Sequence, residues 1–333
     1  MDRYLPEGAL LHTEANQTLS QTTAGLRTAM EKRIILEGTA VMCDTAHNLT
    51  VQVGEFTGII PREEAALGIE SGKTRDIAIL SRVGKPVCFV VCGMDSLEGR
   101  PLLHLSRKAA QERALAHLMR TLTPGDIIPA RVTHLEPFGA FVDIGCGNIA
   151  LAGIENLSVS RISHPKDRMA VGQEIFAVVR AIDRAAARVT LTHRELLGTW
   201  QENAARFEAG QTVRGVVRGV EEYGIFVELA PNLSGLAEKK EGVGEGDAVS
   251  VFIKSIVPER MKIKLVVIDV FGQGGLSPVT RSDYFLTEGH LDVWEYSPSV
   301  CEHKRIFTDF KQIPDLEAVG LRDQSLERGI FRP

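Results

Sequence analysis

Two segments repeat one order of residue types. They are Pro137-Phe138-Gly139-Ala140-Phe141-Val142-Asp143-Ile144 and Glu222-Tyr223-Gly224-Ile225-Phe226-Val227-Glu228-Leu229. Both read aromatic, glycine, small or apolar, Phe, Val, acid, apolar. Phe138 and Tyr223 lie 85 positions apart, as do Phe141 and Phe226, and Gly125 and Gly210. A fixed period sets the architecture before local propensity does. Two aromatics recurring at one place on a strand point to stacking on flat ligands, of which nucleic-acid bases are one kind.

The repeat overrides the prior of about two domains that 333 residues would carry. It divides the chain into small modules. Residues 1–33 form an N-terminal arm, read either as a helix over Asn16–Lys32 or as a flexible segment. Residues 34–122 form a first module and its linker helix, with short strand-like runs at 39–42, 49–53, 57–60, 86–92 and 102–106. Residues 123–208 form a second, with strands expected at 127–135, 138–144, 150–154, 174–182 and 188–192. Residues 209–269 form a shortened third, with strands at 212–220, 225–229, 234–237, 248–256 and 262–268. Five short strands with one longer loop fit a small closed barrel. Arg107–Thr121 is rich in helix formers and reads as the first linker. Leu197, Trp200, Ala204 and Phe207 give the second linker one apolar face. Residues 270–333 form a C-terminal extension. It opens on a glycine linker at Gly272–Gly275, followed by a hairpin of 284–287 and 290–296 turning at Glu288-Gly289. The last 30 or so residues are polar and read as loosely held.

Apolar residues make up 44 % of the chain, enough for each module to bury a core. The net charge of −5 argues against a protein that coats DNA, yet leaves room for local basic stripes. Five scattered cysteines do not make a disulfide framework. No apolar run reaches the roughly 20 residues of a membrane span. The N-terminus lacks the charged start and apolar core of a signal peptide. The expectation is a cytoplasmic protein with no membrane partner.

The residues around the repeat resemble a family. Pro124-Gly125-Asp126, the Phe138–Gly145 strand, Gly153–Ser158, the Arg161–Pro165 loop, Val171–Glu174, Ala181–Arg184 and Arg188–Thr192 are similar, in order, to the S-one RNA-binding repeat. That repeat is named for the largest protein of the bacterial small ribosomal subunit. The third module matches at its start and aromatic strand. The first matches mainly at Gly58–Pro61 and Leu105–Lys108. The resemblance spans about residues 34–269. It implies an all-β chain of three tandem five-stranded antiparallel OB-fold barrels joined by short helical linkers. It also implies binding of single-stranded RNA without chemistry. The partners expected are messenger RNA and the small ribosomal subunit, with no cofactor, metal or small-molecule substrate. The family's binding positions carry Phe138, Phe141, Asn156, Asp183 and Arg188 in the second module. Asn156 stands where His is usual. In the third module they carry Tyr223, Phe226, Glu238 and Lys262, and the acid of Glu238 is a poor neighbour for phosphate. The first module has Asn48, Thr50 and Gln52 where aromatics would stand, so weak RNA binding or another contact is expected there. His164 reads equally as an RNA contact and as an exposed loop residue.

The residues themselves raise a geometric question. Phe138 and Phe141 are an odd number apart, so a regular strand would send them to opposite faces. A bulge or bend at Gly139, repeated at Gly224, would bring them together. Asp143 and Glu228, in the same strands, suggest a solvated face.

Other candidates are weaker. Ser71-Gly72-Lys73-Thr74 lacks the preceding glycine of a phosphate loop, since that position is Leu67. Cys88 and Cys92 read as buried thiols on one strand face. His290, Cys301 and His303 lack a fourth zinc ligand. Trp294, Tyr296 and His290 alternate on one face of the terminal hairpin and read as packing against the third module or as an extra RNA or partner contact. The acid pairs and hydroxyl or thiol residues form no catalytic constellation. The chain is therefore read as non-catalytic. The alternatives are a factor that docks on the ribosome or RNA-processing machinery, and the RNA-presenting part of a nuclease.

Overall fold

Strand alternation builds the molecule. In Lys262–Gln273 the buried residues Ile263, Leu265 and Val267 alternate with exposed Lys262, Lys264 and Val266, the period-two pattern of a strand with one face inside. Repeated fifteen times, such strands close into three five-stranded barrels. The structure, a computed structural model, describes residues 4–97, 100–273 and 279–312. Helices α1 (Glu14–Ser20) and α2 (Thr23–Glu31) precede the first barrel. The single helix expected over 16–32 is broken because Thr22 adopts extended geometry and caps α2.

Barrel one comprises β1 (Ile35–Cys43), β2 (Leu49–Val53), β3 (Phe56–Ile60), β4 (Pro86–Leu97) and β5 (Arg100–Ser106), with the one-turn helix α3 (Ile77–Leu80) between β3 and β4. Helix α4 (Arg107–Thr121), capped by Ser106, leads to barrel two. Barrel two comprises β6 (Ile127–Glu136), β7 (Gly139–Asp143), β8 (Ile149–Gly153), β9 (Glu174–Asp183) and β10 (Arg188–Thr192). After α5 (Trp200–Ala204), barrel three comprises β11 (Thr212–Glu221), β12 (Gly224–Ala230), β13 (Leu233–Ala237), β14 (Asp247–Val257) and β15 (Lys262–Gln273). Neighbouring strands run antiparallel except at one closing contact per barrel, where the third strand meets the fifth in parallel. Each barrel has its own apolar core, centred on residues such as Leu49 and Phe89, Val142 and Val179, and Val227 and Val251.

The extensions are less independent than their polarity implies. Glu7, in the N-terminal arm, is buried at the junction of barrels one and two. Its carboxylate accepts from Arg107 at 2.6 and 2.9 Å and from Arg82 at 3.2 Å. The C-terminal segment folds back over barrels two and three. Trp294 and Tyr296 join the core of barrel three beside Trp200. The hairpin expected at 284–296 does not form. Instead β16 (Val293–Glu295) pairs with β17 (Phe307–Asp309), while Tyr284 is drawn away to His193 at 2.8 Å. The expected glycine linker is partly strand, because Gly272 and Gln273 extend β15. Its remainder, Gly274 and Gly275, and the polar end beyond residue 312 lie outside the described residues.

Candidate nucleic-acid interface

The aromatics meet by a route different from the expected one. Phe138 sits in the turn before β7, so strand parity does not apply to it. The bulge falls in the partner strand, at Thr133 between Val132 and His134. In barrel three it falls at the equivalent Arg218. Glycine is needed for another reason. A Cβ at Gly139 would stand 2.6 Å from the Ala152 carbonyl oxygen, and at Gly224 2.5 Å from that of Ala237. The phenyl rings of Phe138 and Phe141 meet edge to face with centroids 5.9 Å apart. Tyr223 and Phe226 repeat this at 6.0 Å. The outer member of each pair is open to solvent, Phe138 at 45 % and Tyr223 at 69 % exposure.

A row of outward side chains continues across each barrel. In barrel two, register places His134, Phe141, Leu151 and Thr190 side by side on four strands. In barrel three the row is Gly219, Phe226, Leu236 and Lys264. A second bulge, in the fourth strand, turns Arg180 outward in barrel two and Lys254 outward in barrel three. Arg188 and Lys262 are exposed two residues before Thr190 and Lys264, on the same face. Each face thus offers an edge-to-face aromatic pair, a leucine, and cations along the fourth and fifth strands. The residues missed by sequence reading are Leu151, Arg180, Leu236, Lys254 and Lys264. Leu151 and Leu236 share the 85-residue offset. Arg180 and Lys254 share the offset of Arg188 and Lys262, 74, set by the shorter loop of the third module.

The other expected residues are placed less favourably. Asn156 is buried, and its amide donates to Glu155 at 2.8 Å, so it is not presented to a ligand. The ring of His164 caps a short 3₁₀ turn, its Nδ1 accepting from the Lys166 amide at 3.1 Å. Asp183 accepts from the Ala186 amide at 2.8 Å and shapes the β9–β10 turn opposite Arg188. Glu238 is exposed after β13. Cys88 is buried but Cys92 is exposed, because a bulge between Val91 and Gly93 breaks the parity that would have placed both on one face.

Asp143 and Glu228 do not face solvent. Asp143 is buried under the N-terminal arm and accepts from the amides of Glu7, Gly145 and Gly147 at 2.7–2.9 Å. Burial pushes its pKa up to about 7, and the neighbouring Glu7 charge adds to the rise. Burial would also raise Glu7, but the charge and hydrogen bonds of Arg107 outweigh it and hold Glu7 below the ordinary carboxylate range. Glu228 sits at the junction of barrels two and three, where it accepts from Arg168 at 2.9 Å and Arg218 at 2.5 Å. Two acids 85 positions apart therefore tie their barrels to the preceding unit.

A family model for the S1 RNA binding domain, the S-one repeat named above, matches residues 121–194, which hold barrel two. The chain is also 28 % identical over 266 residues to the small ribosomal subunit protein bS1 of Leuconostoc lactis, across 74 % of this chain and 60 % of that protein. It is 31 % identical over 260 residues to the protein of the same name from Staphylococcus aureus strain COL, across 73 % of this chain and 63 % of that one. Residues 121–194 are thus similar to the S1 RNA binding domain, and most of the chain is similar to bS1 proteins. It spans under two thirds of the length of these curated relatives. A multidomain protein with nucleic acid binding domains from Streptococcus pneumoniae TIGR4 aligns over 71 % of this chain and 73 % of its own, at 15 % identity and a TM-score of 0.24. In S1 terms, the matched domain carries the barrel-two aromatic face whole, from Phe138 and Phe141 through Arg180 to Arg188.

Proposed function

We propose that this chain binds single-stranded RNA, without chemistry, on the outer faces of barrels two and three. The observation that carries this reading is the recurrence of one surface on two barrels: an exposed edge-to-face aromatic pair beside outward cations. A base stacks on such a ring, and the cations take the phosphates. Phe138, Phe141, Tyr223 and Phe226 are the stacking residues. Arg180, Arg188, Lys254, Lys262 and Lys264 are the phosphate partners. Asp183 acts indirectly, by shaping the turn that presents Arg188, and His164 by holding its loop. The resemblance to bS1 proteins of the small ribosomal subunit supports a cytoplasmic role in translation, holding messenger RNA near that subunit. No helix among the described residues is long and apolar enough to cross a membrane.

Two faces in one chain raise each other's effective concentration, so modest sites sum to useful affinity. The test is Phe138→Ala with Phe141→Ala, titrated against unstructured RNA. Stacking is worth roughly 1–3 kcal/mol per base, so a loss of about thirtyfold or more is expected with the fold intact by circular dichroism. Unchanged affinity would remove this face from the proposal.

Barrel one favours a second reading for its own face. Val41 and Met42 are both about half exposed there, and no Phe, Tyr or Trp accompanies them in the row. That surface fits docking to a protein of the ribosomal subunit. Co-sedimentation that survives RNase treatment and is lost in Met42→Glu checks it.

A further inference from the structure

Barrel two's long loop after β8 leans on barrel three. Ser158 donates to the Pro231 carbonyl at 2.6 Å, and the Val159 amide donates to Asn232 at 2.9 Å. Ser234 donates to Ser160 at 3.1 Å, and Arg168 donates to Glu228 at 2.9 Å. Glu228 pairs in register with Ser234, and Phe226 with Leu236. Ser160 and Arg168 therefore contact residues two positions along their strands from the aromatic row. At the other end, Glu221 pairs with Gly224, beside Tyr223. Arg161 reaches that end, with its guanidinium 3.6 Å from the Glu221 carboxylate and its side chain 85 % exposed.

Apart from Lys239, exposed just after β13, barrel three's own cations lie elsewhere or are committed. Lys254, Lys262 and Lys264 lie on β14 and β15, the far side of the row. On β11, Arg218 is buried between Glu228 and Asp167. Arg214 lies over the Phe271 ring. Lys240, in barrel three's own shortened loop, is committed to the carbonyls of Val267 and Ile268. Arg161 has one ion pair among the described residues, with a carboxylate that is itself 42 % exposed, so a phosphate can displace it.

We propose that the aromatic face of barrel three is a composite RNA site, in which Arg161 from barrel two's loop supplies the phosphate contact beside Tyr223. The proposal rests on the RNA-binding reading above. It assigns an S1-type loop to the neighbouring module rather than to its own. It also makes the relative placement of the two barrels part of the binding site.

The experiment is a mutant cycle on the full chain, titrated with oligo(U). In the Phe138→Ala/Phe141→Ala background, binding runs through barrel three. There Arg161→Ala weakens affinity roughly fivefold, and the dependence of log affinity on log salt loses about 0.7 of its slope, one phosphate's worth for a single strand. Arg161→Lys keeps the slope. Glu221→Gln, which removes the competing carboxylate, strengthens binding. In the Tyr223→Ala/Phe226→Ala background, Arg161→Ala has little effect. A loss confined to this second background would assign Arg161 to barrel two and overturn the composite site. Equal losses in both backgrounds, or none in either, would also overturn it. Absence of RNA binding by the unsubstituted chain would instead remove the RNA-binding reading itself.

Discussion

Barrels one and two share a fold down to their bulges and differ in what the same positions carry. The row His134, Phe141, Leu151, Thr190 becomes Met42, Thr50, Ile59, His104. The bulged Arg180 becomes Cys92. The turn residue Phe138 becomes His47, which has a positive φ of 65° that a phenylalanine would adopt only under strain. The barrel is therefore a neutral frame, and binding resides in a handful of outward side chains. A second difference lies at the exit of each fifth strand. Arg107 follows β5 and His193 follows β10, at equivalent register. Arg107 locks barrel one to the N-terminal arm as a buried ion pair with Glu7. His193 locks barrel two to the C-terminal extension as a neutral hydrogen bond to Tyr284. One lock is ionic and the other is not, so the two respond differently to substitution and to pH.

The largest effect should come from the ionic lock. Arg107→Ala leaves Glu7 buried with only Arg82 beside it. Removing one partner of a buried pair costs about 3–5 kcal/mol, because the other charge is left uncompensated. Urea denaturation should show a loss of that order, and Glu7→Gln in the same chain should restore part of it. A loss below about 1 kcal/mol would mean that the arm is not held by this pair.

The neutral lock should respond to acid instead. Burial holds the His193 pKa down to about 4, against an ordinary value of 6.5. Between those values the unfolded chain takes up a proton that the folded chain refuses. The stability that His193 contributes is therefore complete above pH 6.5 and is lost as pH falls toward 4, by up to about 3 kcal/mol. Asp143 runs the other way. Its carboxyl is raised from 3.8 to about 7, so its contribution declines as pH rises through that interval. The readout is thus the slope of stability with pH in His193→Gln minus that of the unsubstituted chain, measured from pH 6.5 to 4. A flatter slope in the variant is expected. Parallel slopes would show that His193 takes up its proton as readily in the folded chain as in the unfolded one.

The strands were legible because alternation and β-branched runs are local signals, and those of barrel two fall within about a residue or two of expectation. The aromatic pairs were legible because the repeat doubled them. What escaped depends on register or distance. Arg180, Lys254 and Cys92 face outward only because a bulge shifts parity by one, and no residue type announces a bulge in a valine-rich strand. Glu7 and Arg107 stand 100 positions apart, beyond any local pattern. Asp143 and Glu228 looked solvated because a buried acid and an exposed one are the same letter. Their common parity with Phe141 and Phe226 was the available clue, since it put them on the faces that the flanking segments cover. Asn156 was carried over by position, and its burial follows from its place in the 3₁₀ turn after β8, whose backbone carbonyl accepts from Thr192 and His193.

The smallest effect gives the sharpest version of the comparison. If barrel one is silent only because of its side chains, then giving it barrel two's should make it bind. His47 must be left alone, since its backbone would strain an aromatic. Thr50→Phe places one ring at the Phe141 position, between Met42 and Ile59, and Cys92→Arg restores the bulged cation. Both sites are at least partly exposed, so neither change overpacks a core. The background is Phe138→Ala/Phe141→Ala/Tyr223→Ala/Phe226→Ala, in which binding to unstructured RNA is weakest. One stacked base without its edge-to-face neighbour sits at the low end of its range, so a gain of about 1 kcal/mol, roughly fivefold, is expected. The salt dependence should also steepen by about 0.7 for the added phosphate contact. A gain from Cys92→Arg alone, with nothing further from Thr50→Phe, would show that charge rather than stacking separates the two barrels.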